Sequence, residues 1–151
     1  LVLDQDIIPP KDVIEKLMSH QQDVVTGVYY YPAKVNVSGT KQKDVLIPLV
    51  SKPHPTNKDL MRPCTIAEVE GNQVFKIRGC GLGCVLIKRR IMEKIAFQFK
   101  DRDDAQNFSN DCWEHGFNMI VDTSVKCKHL LKNKPVWVTK LLQERVNQAN
   151  L

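Results

Sequence analysis

The 151-residue chain has no apolar run long enough to span a bilayer, so no membrane-crossing helix is expected. It has no internal repeat and no low-complexity tract, which excludes a solenoid and a chain too polar to fold. Its five cysteines, Cys64, Cys80, Cys84, Cys112 and Cys127, form an odd set without regular pairing. That argues against a disulfide framework and for a reducing, cytoplasmic compartment. Aromatic residues make up 7% and do not interleave with the basic runs, so a stacking platform for single-stranded nucleic acid is not expected. The glycines offer no nucleotide fingerprint either. Gly79, Gly81 and Gly83 are spaced G-x-G-x-G, lack the Lys-Ser/Thr of a phosphate loop, and run into a strand-like stretch instead of a helix start.

What is present is ordinary in bulk. Length, a 42% hydrophobic fraction and a 26% charged fraction suit one soluble domain over residues 1–151 with a useful core. The net charge of +5 suits an anionic partner such as a nucleotide diphosphate, a nucleic acid or a lipid head group, with most lysines serving simply as a solvated face.

The chemistry starts at the first residues, Leu1-Val2-Leu3-Asp4-Gln5-Asp6-Ile7-Ile8-Pro9-Pro10. The apolar run predicts a buried strand that stops at two acids spaced i, i+2. If the backbone stays extended through Gln5, Asp4 and Asp6 point to one side. Two such carboxylates repel unless a proton or cation lies between them, which makes the strand end suited to a hard divalent metal. The competing reading is a strand-to-helix loop in which Asp6 caps the next helix.

In chain order, Pro9-Pro10 opens a helix over about residues 10 to 21, with Val13, Ile14, Leu17 and Met18 on one face. Asp23 to Tyr31 reads as a strand, which completes a strand–helix–strand unit of an α/β sheet. Val35 and Val37 alternate with polar residues, Gly39-Thr40 signals a turn, and Pro48 confines Val45 to Val50 to an edge or irregular segment. Ser51 to Pro63 reads as a surface loop, and Thr65 to Glu70 with Gln73 to Arg78 as a hairpin about Gly71-Asn72. A short helix follows the glycines, with Ile91, Met92 and Ile95 inward, and Ala96 to Lys100 connects onward. Asp103 to His115 reads as a helix with acids at its N-terminus and Gly116 as its stop. Phe117 to Val121 and Ser124 to His129 read as strands, and Val136 to Val146 as a weaker helix.

Several clusters could carry function. Alternate glycines let a sugar ring or a metal-bound phosphate approach the backbone, or they make a tight bend. Cys80, Cys84, Cys127 and His129 could form a zinc site on paper, but their spacings are not those of common zinc modules, and small buried thiols are the better account. Asp103 and Asp104 are either plain helix-start acids or a general base beside a cleft. Lys88-Arg89-Arg90 could touch phosphates or lie on a solvated helix face.

Three segments, in this order, resemble the later part of a family 2 glycosyltransferase of the GT-A fold. The first is Leu1 to Asp6 with Pro9-Pro10, the helix, and Asp23-Val24-Val25-Thr26-Gly27. The second is Gly79 to Arg90, similar to a glycine-rich hairpin running into an apolar strand and a basic helix start. The third runs from Asp103-Asp104 through Phe108, Gly116-Phe117, Val121-Asp122 and Ser124-Val125 to His129. The resemblance implies an α/β fold with a GT-A-like mixed sheet flanked by helices. It implies Asp4, Asp6 and His129 as ligands of Mn²⁺ or Mg²⁺ on a nucleotide-diphosphate sugar. It implies Asp104, or its neighbour Asp103, as the base that activates an acceptor hydroxyl, with inversion at the sugar carbon, and Gly79, Gly81 and Gly83 as substrate contacts. Asp103-Asp104 stands where the family usually has Glu-Asp, and residues 33–63 match no motif of it. The family's nucleotide-binding front precedes the D-x-D. Because the chain starts at Leu1, inside a strand-like run, we expect it to be the later part of a larger protein. The rival expectations are a non-catalytic sugar-binding or assembly domain of degenerate glycosyltransferase fold and, more distantly, a basic nucleic-acid-binding domain.

Overall fold

A computed structural model of the chain describes residues 1–38, 41–97, 103–131 and 134–136, with backbone alone for 35–38, 41–44, 131 and 134–136. The opening run is a short strand, β1 (Val2–Leu3), followed by β2 (Ile7–Ile8). Helix α1 (Val13–Ser19) is shorter than the span read from periodicity. Val13 and Leu17 are buried, whereas Ile14 and Met18 are exposed at 52% and 59%. The expected four-residue apolar face is therefore only half used: a helix this short meets the sheet along a single i, i+4 line.

Strand β3 (Val24–Val28) is buried throughout. Among the described residues, strands β4 (Tyr30–Ser38) and β5 (Lys41–Pro48) pair only with each other, as the proline in β5 requires of a strand off the central sheet. The segment expected to be a loop after them is a hairpin of β6 (Val50–Pro53) and β7 (Met61–Pro63), and only residues 54–60 lie outside strands.

The hairpin predicted about Gly71-Asn72 does not form. Its first half is helix α2 (Ile66–Val69), because Thr65 and Glu68 make a reciprocal capping box. Its second half, β8 (Val74–Lys76), pairs instead with a strand near the chain's other end. Then come β9 (Gly79–Cys80), β10 (Cys84–Ile87) and the short helix α3 (Arg89–Met92). Ile91 and Ile95 are buried as expected, and Met92 is 40% exposed. Helix α4 (Asp104–Glu114) is capped by Asp103 and stopped by Gly116 at φ +70°, as the sequence predicts. Strands β11 (Met119–Lys126), β12 (Lys128–Leu131) and β13 (Lys134–Val136) complete the described chain. The two strands expected over Phe117 to His129 form, but the division expected at residues 122–123 falls instead at Cys127, because β11 continues to Lys126. Residue 136 lies in a strand, and the rest of the weak helix expected to reach Val146 lies outside the described residues.

The architecture is mixed α/β. Five strands form a mixed sheet in the order β1-β10-β3-β11-β8, in which only β3 and β11 run parallel. Smaller sheets β13-β12-β2 and β7-β6-β9 adjoin it. Alternation along β3 sends Val24 and Val28 to one core, with Val85, Val121 and Phe108, and Val25 to the other, with Leu17, Ile120 and Cys84. A strand buried on both faces has no polar side, which is why this stretch reads as β-branched residues interrupted only by Gly27.

One irregularity positions the site. β11 pairs Val121 with Thr26 but Lys126 with Val28, so its register slips between those points. The slip turns the chain out of the central sheet, and β12 then pairs with β2, setting His129 opposite Ile7. None of the helices is long and apolar enough to cross a membrane, among the described residues.

Candidate functional site

The two opening acids are not on an extended strand. Asp4 O accepts the Ile7 N–H at 3.1 Å, which closes a β-turn over Gln5 and Asp6. The turn corrects the extended reading but keeps the acids together. The Asp4 N–H is fixed by the Gly83 carbonyl at 3.1 Å, and the Asp6 carbonyl accepts the Leu130 N–H at 2.7 Å. Burial raises the Asp4 carboxyl above its ordinary value, and the charges of Asp6 and Asp104 raise it further against the opposing effect of His129. Asp6, Asp104 and His129 thus all act electrostatically on Asp4.

His129 is nearly buried, at 8% exposure. Its Nδ1 lies 2.9 Å from the Tyr30 carbonyl oxygen, which can only accept, so Nδ1 carries the hydrogen. Its Nε2 points at Asp6 Oδ2, 3.2 Å away. A bare lone pair aimed at a carboxylate oxygen is repulsive, so this contact calls for a second proton or a cation between the two atoms. An imidazole tied through one nitrogen to a backbone carbonyl is also the arrangement that aims the other nitrogen at a metal. Among the described residues, however, no three His, Cys, Asp or Glu side chains are grouped so as to hold a metal ion by themselves. The same holds for the sulfur set considered for zinc: the cysteines are buried free thiols.

Beside this turn lies a cleft of about 390 Å³. Asp4, Asp103 and Asp104 line one side of it, with Gln106 and Ser109 of α4. Ile47, Pro48, Leu49, Met61 and Leu82 supply an apolar wall. The two helix-start acids differ in duty. Asp103 Oδ1 accepts the Gln106 N–H at 2.8 Å as the N-cap of α4. Asp104 Oδ1 accepts, among the described residues, the adjacent Ala105 N–H at 2.9 Å, and its charge reaches Asp4. Asp104 is thus the freer of the two to work as a base.

Gly79 and Gly81 line the cleft, and Gly83 does not. A Cβ on Gly83 would come within 2.6 Å of the Tyr29 ring, and one on Gly81 would strike the Tyr29 hydroxyl. The space those two glycines leave is filled by Tyr29, whose hydroxyl accepts the Gly83 N–H at 2.9 Å. Tyr29 sits between β3 and β4, and its polar tip directly after a largely β-branched strand was the available sign of this residue. The basic run is also spoken for. Arg90 and Lys88 pair with Asp23, and Arg89 pairs with Glu93 at 2.9 Å, so it stands as a helix face away from the acids.

No known family profile and no curated protein sequence matches the chain. Among solved structures it is similar to A197 from STIV, with a TM-score of 0.54 and 22% sequence identity over 87% of this chain. The match covers 57% of the A197 chain, so this chain spans little more than half of its neighbour's length. At that identity the likeness is one of fold.

Proposed function

We propose that the cleft belongs to a metal-dependent glycosyltransferase that moves a sugar from a nucleotide-diphosphate sugar to an acceptor hydroxyl, with inversion. The observation that carries this reading is that Asp4 and the start of α4 line one cleft, while Asp6, two residues on in the same turn, has His129 Nε2 3.2 Å away just outside that lining. Mn²⁺ or Mg²⁺ is commonly held by one or two side chains plus phosphate oxygens and water, so Asp6 and His129, with Asp4 beside them, fit as the protein's share. A cation there would neutralise charge developing on the departing diphosphate. Asp104, which lines the same cleft beside Asp4, accepts the proton of the attacking hydroxyl. Gly79 and Gly81 let the sugar approach the backbone. Five buried free thiols fit a reducing, cytoplasmic setting.

Calorimetric titration of the full chain with Mn²⁺, alone and with UDP-glucose, UDP-galactose or GDP-mannose, tests this. Metal binding that tightens in the presence of one donor, with transfer lost in Asp104→Asn, is expected. Metal binding indifferent to every donor refutes it. A second reading, a non-catalytic sugar-binding or assembly domain, is favoured by the lack of a three-ligand group among the described residues. It predicts donor or sugar binding without metal and without turnover.

A further inference from the structure

We infer that Tyr29 is the residue that selects the transferred sugar, its phenol O–H donating to one ring hydroxyl of the donor held in the cleft. This rests on the glycosyltransferase reading. The argument starts at the backbone. Tyr29 O accepts the Leu49 N–H at 3.0 Å, and Leu49 O accepts the Gly81 N–H at 2.8 Å, so Tyr29 and the glycine run hang from one residue. The ring is 4% exposed, with Gly81 and Gly83 against its tip and His129 edge-on at 5.8 Å between centroids. Packing on these sides leaves the ring one position.

The phenol oxygen receives the Gly83 N–H, which occupies one lone pair and leaves the hydroxyl's own hydrogen to be placed. Among the described residues no hydrogen bond donated by that hydroxyl is formed. Tyr29 lines the cleft together with Asp4, Gly81 and Asp104. Burial, and then the nearby Cys80 and Asp4, hold the phenol well above its ordinary value, so it remains a donor at any physiological pH. The diphosphate end of a bound donor belongs at Asp6 and His129, and the acceptor at Asp104. The sugar lies between them, in the cleft that Tyr29 lines with Asp4 and Asp104, and the Tyr29 phenol is close enough to Asp4 to feel its charge. A rigid, buried donor aimed at a hydroxyl rejects a sugar that lacks that hydroxyl, because its own hydrogen is then left unpaired.

The test compares wild type and Tyr29→Phe against the nucleotide sugar that is turned over and its single-deoxy analogues. For wild type, one analogue is expected to lose about tenfold in kcat/KM. For Tyr29→Phe the same analogue and the parent donor are expected to be equal. A residue that only supports the Gly83 loop would slow every donor by one factor, and that result overturns the assignment. Should Tyr29→Phe fold poorly, wild type labelled at the tyrosine Cζ carbons answers the same question, the chain having three tyrosines. The Tyr29 signal is expected to move when the nucleotide sugar binds but not with the nucleoside diphosphate alone, and identical shifts overturn it. Absence of transfer from every donor by wild type would instead remove the reading on which it stands.

Discussion

Asp4→Asn changes one atom type and no backbone contact, so it isolates the cost of gathering acids at the cleft edge. The Asp4 carboxyl is raised by burial and by the charges of Asp6 and Asp104. Each unit charge a few ångströms away acts with about 1 kcal/mol when water screens it, and Asp4 is exposed enough for that limit to apply. Burial together with the two repulsions, less the attraction of His129, leaves a net strain on the order of 1 kcal/mol once water screens an exposed group. For a chain of this length that corresponds to a melting temperature roughly 2–4 °C higher in Asp4→Asn than in wild type, without metal. The sign follows from the direction of the shift. A carboxyl raised above its ordinary 3.8 folds more readily when protonated, so the deficit is present at neutral pH and fades as pH falls through the raised value. With Mn²⁺ and the nucleotide donor at a hundred times the dissociation constant, wild type gains about 2.7 kcal/mol. The variant, with a weakened cation site, gains less, and the order of melting temperatures inverts. Scanning calorimetry with and without the ligands reads both halves. A variant that melts below wild type in the absence of metal, or one that gains as much as wild type in its presence, would refute the account of the acids as a strained cation site.

Other consequences are independent of that one. Asp103→Ala removes the N-cap bond to Gln106 and is expected to cost about 1 kcal/mol in urea unfolding while leaving transfer measurable; Asp104→Asn should do the reverse, abolishing transfer with little change in stability. Glu68 accepts from Arg62 at 2.7 and 2.8 Å, from Lys52 at 2.9 Å and from the Thr65 N–H at 2.9 Å, so Glu68→Ala should cost about 2 kcal/mol at neutral pH. Its carboxyl is held below the ordinary 4.5, chiefly by Arg62, so the stability it contributes is lost as pH falls below that value and the gap to the variant should close in acid. Burial pushes Cys80, Cys112 and Tyr30 up to about 12 from 9.0, 9.0 and 10.0, so they stay protonated in the fold while the unfolded chain ionises. Stability should therefore be complete below pH 9 and fall steadily as pH rises towards 12, which melting curves in alkaline buffers would show as a declining midpoint.

Local physics made part of this protein legible in its sequence. The Asp103 cap, the acid of the first turn and the Gly116 stop bound α4 by chemistry within a few residues, and both ends are found as expected. The β-branched run of β3 likewise declares a strand buried on both sides. Thr65 and Glu68 carried an equally local signal, a capping box, which was outweighed by an apparent hairpin about Gly71-Asn72. The acids and the late histidine could be named as candidates because residue type limits chemistry.

Their meeting was implied by the family resemblance, but no local signal along the chain encodes it. It depends on a register slip in β11 that redirects β12 onto β2, on a three-residue step that turns instead of extending, and on a Tyr30 carbonyl that fixes which nitrogen of His129 faces Asp6. The partner of β8 and the filling of the glycine run by Tyr29 are of the same kind. Caps and periodicity act over a few residues and leave their mark in local order. Strand pairing and side-chain packing join segments a hundred residues apart, and their energies are decided only once the sheet order and the core exist.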